Sequence, residues 1–367
     1  MNMELRLPVR PARVKPAVID CDIHPRVPNL EALKPYMSAH WWGVLKAYGT
    51  RQRHGFAKGY PFPKATPLAC RRDAWPPNGG PPASDLAFVR EQHLDPYGIE
   101  YGIMNPLAPS GEGEQNPLLS AALCSATNDW QIETWTRPEP RLKASIVVPY
   151  EDGEAARAEI EKRARERDFV QVLLLSRTSE ALGRRRYWPI FEAAAAHALP
   201  VGIHVFGYSG WALTNTGWPS FYIEEMTEHS TSVQAMVTSL IMEGVFERWP
   251  TLRIVLIESG FAWLPALGWR LDKVWARMRD ELAHVKRPPS ETLREHFWVS
   301  TQPMEEPEKP AHLLDVLDWI GHDRVVFASD YPHWDFDDPF LALPPSLDEA
   351  RRTQIFSGNA RKLYGLG

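Results

Sequence analysis

Strand-length apolar runs alternate with helix-like segments along the whole chain, and this alternation is the feature that most limits the possible folds. The runs are rich in valine and isoleucine and apolar on both faces, as expected of parallel strands buried on both sides. Eight strands are predicted: Val18–His24, Tyr101–Leu107, Leu142–Pro149, Phe169–Ser176, Leu199–Val205, Leu252–Glu258, His296–Thr301 and Arg324–Asp330. Helices are predicted between them, among others over Gly153–Asp168, Tyr187–Ala198, Glu225–Arg248 and Ser346–Tyr364.

The repeated order of strand and helix is typical of stacked βαβ units. Eight units favour an α/β fold in which one (β/α)₈ barrel domain spans residues 1–367. An open, doubly wound sheet is the alternative. The barrel is preferred because ligand-type side chains stand at strand ends near both termini of the chain, and a closed ring brings its first and last strands side by side.

Two long loops are expected to cover the mouth of the barrel. A barrel of this kind needs about 250 residues, so part of the chain is available for insertions. The segment from Thr50 to Ser84 is rich in proline, glycine and arginine, and a loop of this length after the first strand is typical of an active-site lid. Gly207–Ile223, after the fifth strand, is predicted to form a second wall, and it carries Trp211, Trp218, Phe221 and Tyr222. The aromatic content indicates an apolar or aromatic small-molecule substrate.

Composition narrows the function classes. The formal net charge is −5 and the only arginine cluster is short, so a nucleic-acid partner is not expected. No run approaches the roughly 18 apolar residues of a membrane span, and Met1–Lys15 lacks the apolar core of a signal peptide. The three cysteines form no CxxC pair, which fits a reducing compartment. The prediction is a cytoplasmic protein without a membrane partner.

Four strand ends carry side chains that can ligate a metal ion. Asp22 and His24 stand two residues apart on the first strand, so both point to the same side. His204 lies inside the apolar run of the fifth strand, next to its end, whereas Glu258 ends the sixth strand and Asp330 the eighth. A lone histidine in an apolar strand is usually a core residue, but buried charges are costly without partners. One shared divalent cation would satisfy all of these groups at the mouth of a barrel.

The ligand types indicate the ion and its chemistry. Two imidazoles with carboxylates suit Zn²⁺, the first expectation, or Mn²⁺ as the alternative. A site of this kind lowers the pKa of a bound water or polarises a carbonyl or phenolic oxygen. Asp330 and Glu258 are the candidate catalytic residues, because a carboxylate beside such a water can act as general base.

These segments resemble the amidohydrolase-related group of metal-dependent TIM-barrel enzymes, and within it the relatives of aminocarboxymuconate semialdehyde decarboxylase. The resemblance spans nearly the whole chain and rests on Asp22-Ile23-His24, His204, Glu258-Ser259-Gly260, Ser329-Asp330-Tyr331-Pro332 and the terminal Gly358–Tyr364. It implies a metal bound by four residues, which on this chain are Asp22, His24, His204 and Asp330. It also implies a homodimer.

Two further residues are predicted to bind substrate. His333 follows Asp330 closely and is expected to orient the substrate or hold the aspartate, a surface position being the alternative. Arg270 falls near a family arginine that binds the substrate carboxylate, in some members from the partner subunit. An ordinary arginine on a helix surface is the alternative there.

The chain departs from its relatives at two positions, and these leave the reaction type open. Asp22 replaces the first histidine of a His-x-His pair, and Glu258 replaces a histidine that serves the decarboxylases as acid/base. Because the ordinary pKa of glutamate is far below that of imidazole, hydrolysis of a small aromatic or apolar carbonyl compound by a metal-activated water is the main expectation. A metal-dependent non-oxidative decarboxylase of an aromatic or unsaturated acid is the alternative, and a catalytically inactive barrel with a binding role is the third.

Overall fold

The computed structural model describes residues 17–50, 68–107, 110–205, 217 and 219–367. Eight parallel strands pair in chain order in a single sheet. They are β1 Val18–Ile23, β2 Ile99–Met104, β3 Leu142–Val147, β4 Phe169–Leu175, β5 Val201–His204, β6 Ile254–Ile257, β7 Phe297–Ser300 and β8 Val325–Val326.

The sheet closes into a barrel between its first and last strands. The amide of Cys21 on β1 donates to the carbonyl of Phe327 at 2.9 Å, and that of His24 donates to Tyr331 at 2.9 Å. An isolated parallel bridge joins Ile23 to Tyr331 in the same place. The predicted (β/α)₈ TIM barrel is therefore confirmed, and the open sheet is wrong. The eighth strand is shorter than predicted, because its ladder with β7 ends at Val326.

Helices surround the barrel on its outer side. They are α1 Ala39–Tyr48, α2 Leu86–Val89, α3 Asp95–Tyr97, α4 Pro117–Gln131, α5 Gly153–Arg163, α6 Trp188–Ala196, α7 Tyr222–Met242, α8 Val245–Arg248, α9 Trp263–Trp275, α10 Pro289–His296, α11 Pro310–Ile320, α12 Glu349–Thr353 and α13 Asn359–Tyr364. The predicted helix Glu225–Arg248 is two helices, because Gly244 adopts a left-handed φ of +81° between α7 and α8. One π turn, Arg90–Leu94, links α2 to α3.

Local sequence explains several of these elements. The strands are buried along almost their whole length, as their β-branched, two-sided apolar sequences predict. Asp152 caps α5 by accepting a hydrogen bond from the amide of Ala155, and Asp348 caps α12 in the same way. The main core lies between the strands and the helices. Among the described residues, no helix is both long and apolar enough to cross a membrane.

Part of the predicted lid lies against the end of β8. The amide of Arg71 donates to the carbonyl of Pro332 at 3.0 Å, and Cys70 forms an antiparallel bridge with His333. Residues 51–67 of that segment, and most of the predicted wall Gly207–Ile223, lie outside the described residues. The contacts of residues 68–84 bring the end of the insertion next to Asp330, where a lid would act.

Candidate metal centre

The end of β1 places a carboxylate and an imidazole together at the mouth of the barrel. Asp22 and His24 are buried, and the Nε2 atom of His24 lies 3.2 Å from Oδ1 of Asp22. The other ring nitrogen of His24, Nδ1, lies 2.8 Å from the carbonyl oxygen of Asn105. Because a carbonyl only accepts hydrogen bonds, Nδ1 is the donor, and Nε2 of the neutral ring presents its lone pair to the cluster.

The ends of β5 and β6 add an imidazole and a second carboxylate. The Nε2 atom of His204 lies 3.0 Å from Oε2 of Glu258 and 3.5 Å from Oδ2 of Asp22. The Nδ1 atom of His204 donates to the carbonyl of Val205, so its Nε2 also presents a lone pair when the ring is neutral. The rings of His24 and His204 are nearly perpendicular, with centroids 5.0 Å apart.

Asp330 completes the cluster from the chain that follows β8. Its Oδ1 atom lies 2.8 Å from Nε2 of His24 and 2.6 Å from Nδ1 of His333. The ring of His333 stacks on that of His24 with centroids 4.6 Å apart. The structure therefore brings His333 into contact with the cluster, rather than leaving it on the surface.

Two of these acids hold a backbone conformation that side-chain-bearing residues rarely adopt. Glu258 has a φ of +54° and Asp330 a φ of +61°, both in the left-handed region. The amide of Glu258 is held by a hydrogen bond of 3.1 Å to the hydroxyl of Ser300. Strain of this kind persists where surrounding contacts enforce it, and it is concentrated at functional sites.

The cluster contains buried polar atoms that lack hydrogen bonds. Within the described part of the chain, Asp22 Oδ2, His204 Nε2 and Glu258 Oε2 are buried and have no hydrogen-bond partner, although His204 Nε2 lies 3.5 Å from the first oxygen and 3.0 Å from the second. A buried lone pair facing two carboxylates is unfavourable unless a cation lies between them. The ligand atoms of Asp22, His24, His204 and Glu258 all lie within 4.8 Å of one another. The residues present therefore fit one divalent metal ion.

A second, overlapping set satisfies the same distance condition. It consists of His24, Glu258, Asp330 and His333. Since both sets contain His24 and Glu258, the two sets describe alternative shells for one ion. Either shell offers imidazole nitrogens and carboxylate oxygens, the donors that suit zinc or manganese.

The pKa values of the cluster show that its acids favour a positive charge next to them. Burial raises the pKa of Asp22, but His24 and His204 outweigh this effect and hold it below its usual range. Burial lowers the pKa of His204, but the charges of Asp22 and Glu258 raise it to about 10. Without a metal ion, protons on the imidazoles supply the positive charge that a cation would otherwise bring.

The remaining acids have raised pKa values. Burial and the neighbouring charge of Asp330 raise the pKa of Glu258 to about 7. Burial raises the pKa of Asp330 to about 6. Burial and the positive charge of His24 lower the pKa of His333 to about 4. Two carboxyl groups whose pKa values are raised to within about one unit of neutral pH are suited to general acid–base chemistry.

Two amides at strand ends support the ligands, and the sequence argument missed both. Asn105, after β2, donates from Nδ2 to Oδ1 of Asp22 at 2.8 Å, while its own Oδ1 accepts from Ser145 and Gln171 inside the barrel. Gln302, after β7, donates to Oδ2 of Asp330 at 3.3 Å. Their positions directly after strands are a signal that applies to amides as much as to acids and histidines.

The sequence pattern of the Amidohydro_2 family, described as amidohydrolase, matches residues 19–366. The chain belongs to this amidohydrolase family. The predicted family and the predicted class, a hydrolase or carboxy-lyase of the amidohydrolase superfamily, are thereby confirmed.

Curated relatives of this amidohydrolase include decarboxylases. It is 27% identical over 304 residues to the gamma-resorcylate decarboxylase of Polaromonas sp. (strain JS666 / ATCC BAA-500), covering 77% of this chain and 88% of the relative. It is 25% identical over 304 residues, with the same coverage, to the gamma-resorcylate decarboxylase of Rhizobium sp. (strain MTP-10005).

Solved structures share the fold of this amidohydrolase. Dihydroxybenzoic acid decarboxylase from Polaromonas sp. JS666, with bound manganese and 2-nitroresorcinol, matches with a TM-score of 0.67 and 21% identity over 96% of this chain and 97% of that one. The amidohydrolase map2389c from Mycobacterium avium subsp. paratuberculosis K-10 matches with a TM-score of 0.72 and 23% identity, over 96% and 100%.

One predicted site residue of the amidohydrolase is not brought to the cluster within the chain. Arg270 lies on the exposed surface of α9, and none of its described contacts reaches a ligand residue. Asp22, His24, His204, Glu258, Asp330 and His333 do come together. The role of Arg270 in substrate binding stays a prediction.

Proposed function

We propose that this amidohydrolase is a metal-dependent, non-oxidative decarboxylase of an aromatic hydroxy acid. The observation that carries the proposal is a cluster of unpartnered ligand atoms at the strand ends of a chain that matches gamma-resorcylate decarboxylases over 88% of their length. This is the alternative of the sequence argument. It has better support than hydrolysis, because the two curated relatives described above are decarboxylases.

The ion would be held by the predicted ligands Asp22, His24 and His204 together with Glu258, whose ligand atoms all lie within 4.8 Å of one another. Asp330, the fourth predicted ligand, adjoins this set through His24 and forms the overlapping set with His24, Glu258 and His333. When bound, the ion supplies a Lewis acid for the carboxylate and the neighbouring phenolic oxygen of the substrate. We propose manganese rather than zinc, since relatives of the same fold carry manganese in their crystal structures. Zinc remains the alternative for these donor types.

Asp330 is the proposed proton donor. In the metal-free protein burial raises the pKa of its carboxyl group to about 6, and the group contacts His24 and His333. It gives a proton to the ring carbon that bears the carboxylate. The bond between that carbon and the carboxylate then breaks, and CO₂ leaves. The electron pair of the broken bond stays on the ring and restores its aromaticity. Water returns a proton to Asp330 and leaves hydroxide, so the net reaction converts the aromatic carboxylate and water into the arene, CO₂ and hydroxide.

Glu258 takes the place of the imidazole found in the decarboxylases that the chain resembles. Its ordinary pKa was the main argument for hydrolysis. In the folded chain, burial and Asp330 raise that pKa to about 7, which is close to the ordinary pKa of histidine. In the metal-free protein a glutamate in this environment can hold and release a proton near neutral pH, which weakens the argument against decarboxylation.

Labelled solvent separates the two reactions. The manganese-loaded protein would be incubated with 2,6-dihydroxybenzoate and other 2-hydroxybenzoates in D₂O and in H₂¹⁸O. Decarboxylation puts one deuterium on the ring carbon that lost its carboxylate and leaves the organic product free of ¹⁸O. Hydrolysis puts ¹⁸O into the organic product. Benzoate without an ortho hydroxyl is the control, and it should not react. Absence of CO₂ release from every hydroxybenzoate would refute the proposal.

We also propose a homodimer in which α9 takes part in the interface. Trp269 and Met278, on and just after α9, are 62% and 50% exposed, and Arg270 is exposed beside Trp269. Exposed apolar side chains of this size often mark interaction surfaces. Sedimentation of the protein and of Trp269→Lys should show a dimer that the substitution weakens, with Lys46→Glu on α1 as the control. A monomeric wild type would refute the dimer. A cytoplasmic location stays a prediction.

A further inference from the structure

Six residues, Asp22, His24, His204, Glu258, Asp330 and His333, are called here the metal-ligand cluster. Behind it, Asp20 connects the end of β1 to the chain that follows β8. Its Oδ1 atom accepts hydrogen bonds from the amides of Ser329 at 2.9 Å and Asp22 at 3.2 Å. Its Oδ2 atom accepts from the hydroxyl of Ser329 at 2.6 Å and lies 2.8 Å from Nε2 of His93. Asp20, His93 and Ser329 are all fully buried. Asp20 thus binds Ser329, the residue before Asp330, and the backbone amide of Asp22. Among the described contacts, none joins its carboxylate to the side chain of a metal ligand.

The residues on both sides of Asp330 are fixed by this network. The hydroxyl of Ser329 donates to Asp20 and accepts from the amide of Tyr331 at 3.2 Å. Asp330 lies between them with its left-handed φ of +61°. Because a non-glycine residue holds such a conformation only where its surroundings enforce it, the hydrogen bonds of Ser329 are candidates for that enforcement.

His93 adds a third point of attachment. It lies in the π turn Arg90–Leu94, and its ring stacks on that of Tyr331 with centroids 4.5 Å apart and an angle of 11° between the planes. In the same turn, Gln92 accepts a hydrogen bond of 2.7 Å from the hydroxyl of Tyr331. One turn therefore contacts both the carboxylate of Asp20 and the residue that follows Asp330.

We infer that Asp20, together with His93 and Ser329, is a positioning residue that holds Asp330 and Asp22 in register for metal binding and proton transfer. A buried carboxylate that accepts four hydrogen bonds makes stronger bonds than a neutral acceptor, which suits it to hold a strained segment. The part of this inference that concerns proton transfer rests on the proposed function. The part that concerns metal binding does not.

Two substitutions test the inference. Asp20→Asn keeps the shape of the side chain but removes its charge, and Ser329→Ala removes only the hydroxyl that joins Asp20 to Tyr331. Partners that orient metal ligands typically contribute 10–100-fold to metal affinity or activity. Manganese titration followed by electron paramagnetic resonance should therefore show a Kd that is about 10–100-fold higher in both variants. At saturating manganese, kcat should fall by about the same factor and KM should change little.

Glu159→Gln is the matched control. Glu159 is a nearly buried carboxylate that accepts from Asn128 and Arg163 at 2.9 and 2.8 Å, on the outer side of the barrel. Its substitution also weakens a buried network, so it should lower the stability while leaving manganese affinity and kcat unchanged. This readout separates positioning from a general loss of stability.

The outcomes are distinct. Manganese affinity and kcat equal to wild type in both folded variants would overturn the inference, as would an equal loss of affinity in Glu159→Gln. If Asp20→Asn fails to fold, Ser329→Ala decides by the same criteria. A wild-type protein that binds manganese but releases no CO₂ would overturn the proposed function only. The manganese titrations would then still decide whether Asp20 positions the ligands.

Discussion

Two polar clusters of this barrel, one buried and one largely buried, use similar side chains in opposite ways. At the mouth, the metal-ligand cluster leaves atoms of Asp22, His204 and Glu258 without hydrogen bonds. On the outer side, Arg163 on α5 lies 2.8 Å from Glu159 and 2.6 Å from Asp129, and Glu159 also accepts from Asn128; these four residues are called here the Arg163 cluster. The Arg163 cluster contains a permanent cation, the guanidinium of Arg163, whereas the metal-ligand cluster contains none.

The difference shows how a buried acid can be assigned to stability or to function. In the Arg163 cluster the guanidinium compensates the acids, so the group is complete without a ligand. At the mouth, acids face imidazole lone pairs, and only a proton or an added cation can compensate them. Substitutions at the mouth should therefore affect metal binding and turnover, whereas substitutions in the Arg163 cluster should affect only stability.

The largest effect is expected from removing an imidazole ligand. His24→Ala and His204→Ala should each lose the bound ion and all measurable turnover, because each deletes a donor from a shell of about four. Elemental analysis of the purified proteins measures the metal content. His296→Ala, which removes a buried histidine bound to the carbonyl of Leu252, is the control and should keep the ion. Full metal content in both ligand variants would show that the cluster is structural.

Asp330→Asn tests the proton donor. The amide keeps the size of the side chain but cannot give up a proton as the acid does, so kcat should fall by about 10²–10⁴-fold. Circular dichroism should show an unchanged fold. Asp337→Asn changes a partly buried acid seven residues further on and should keep its activity. Retained activity in Asp330→Asn would leave Glu258 as the donor.

Arg163→Met tests the other side of the comparison. Removing the cation leaves Glu159 buried without its main partner, which should cost about 3–5 kcal/mol of unfolding free energy. Denaturation by urea measures this loss. The metal content and kcat of the folded variant should equal those of wild type. A fall in metal content at unchanged fold would mean that the two clusters are coupled, contrary to the comparison.

The ligands at the mouth could be predicted from the sequence because the signal is local. An apolar strand that ends in an acid or a histidine is visible within a few residues, so β1, β5, β6 and β8 indicated the cluster. The supporting residues were not visible in this way. The contact between Asp20 and Ser329 spans 309 positions, and nothing near Asp20 in the sequence indicates it.

The sequence also could not show the environment of each acid. Its preference for hydrolysis relied on the ordinary pKa of Glu258, and burial changes that value in the folded chain. The left-handed backbone of Asp330 could not be predicted either, because glycine adopts this conformation routinely whereas aspartate does so only occasionally. Chemistry that depends on burial and strain therefore required the three-dimensional arrangement.

The smallest expected effect concerns His229, a buried histidine on α7. It is 3% exposed, and burial, the cation of Arg177 and the nearby His204 lower its pKa to about 3. The unfolded chain has a histidine pKa of about 6.5. Below pH 6.5 the unfolded state therefore binds a proton that the folded state excludes, so His229 makes the protein lose stability as the pH falls from 6.5 toward 3.

Comparing unfolding free energies at pH 7.5 and pH 5.0 measures this effect. In metal-free protein, wild type should lose up to about 2 kcal/mol more than His229→Gln over this range, because one proton is worth about 1.4 kcal/mol per pH unit. His197→Gln, which changes an exposed histidine, should behave as wild type does. If His229→Gln loses as much stability as wild type, then His229 accepts its proton in the folded state. The acids of the metal-ligand cluster would then compensate the charge of His229, which is not one of the ligands. The contrast between this cluster and the Arg163 cluster would be weaker than the geometry indicates.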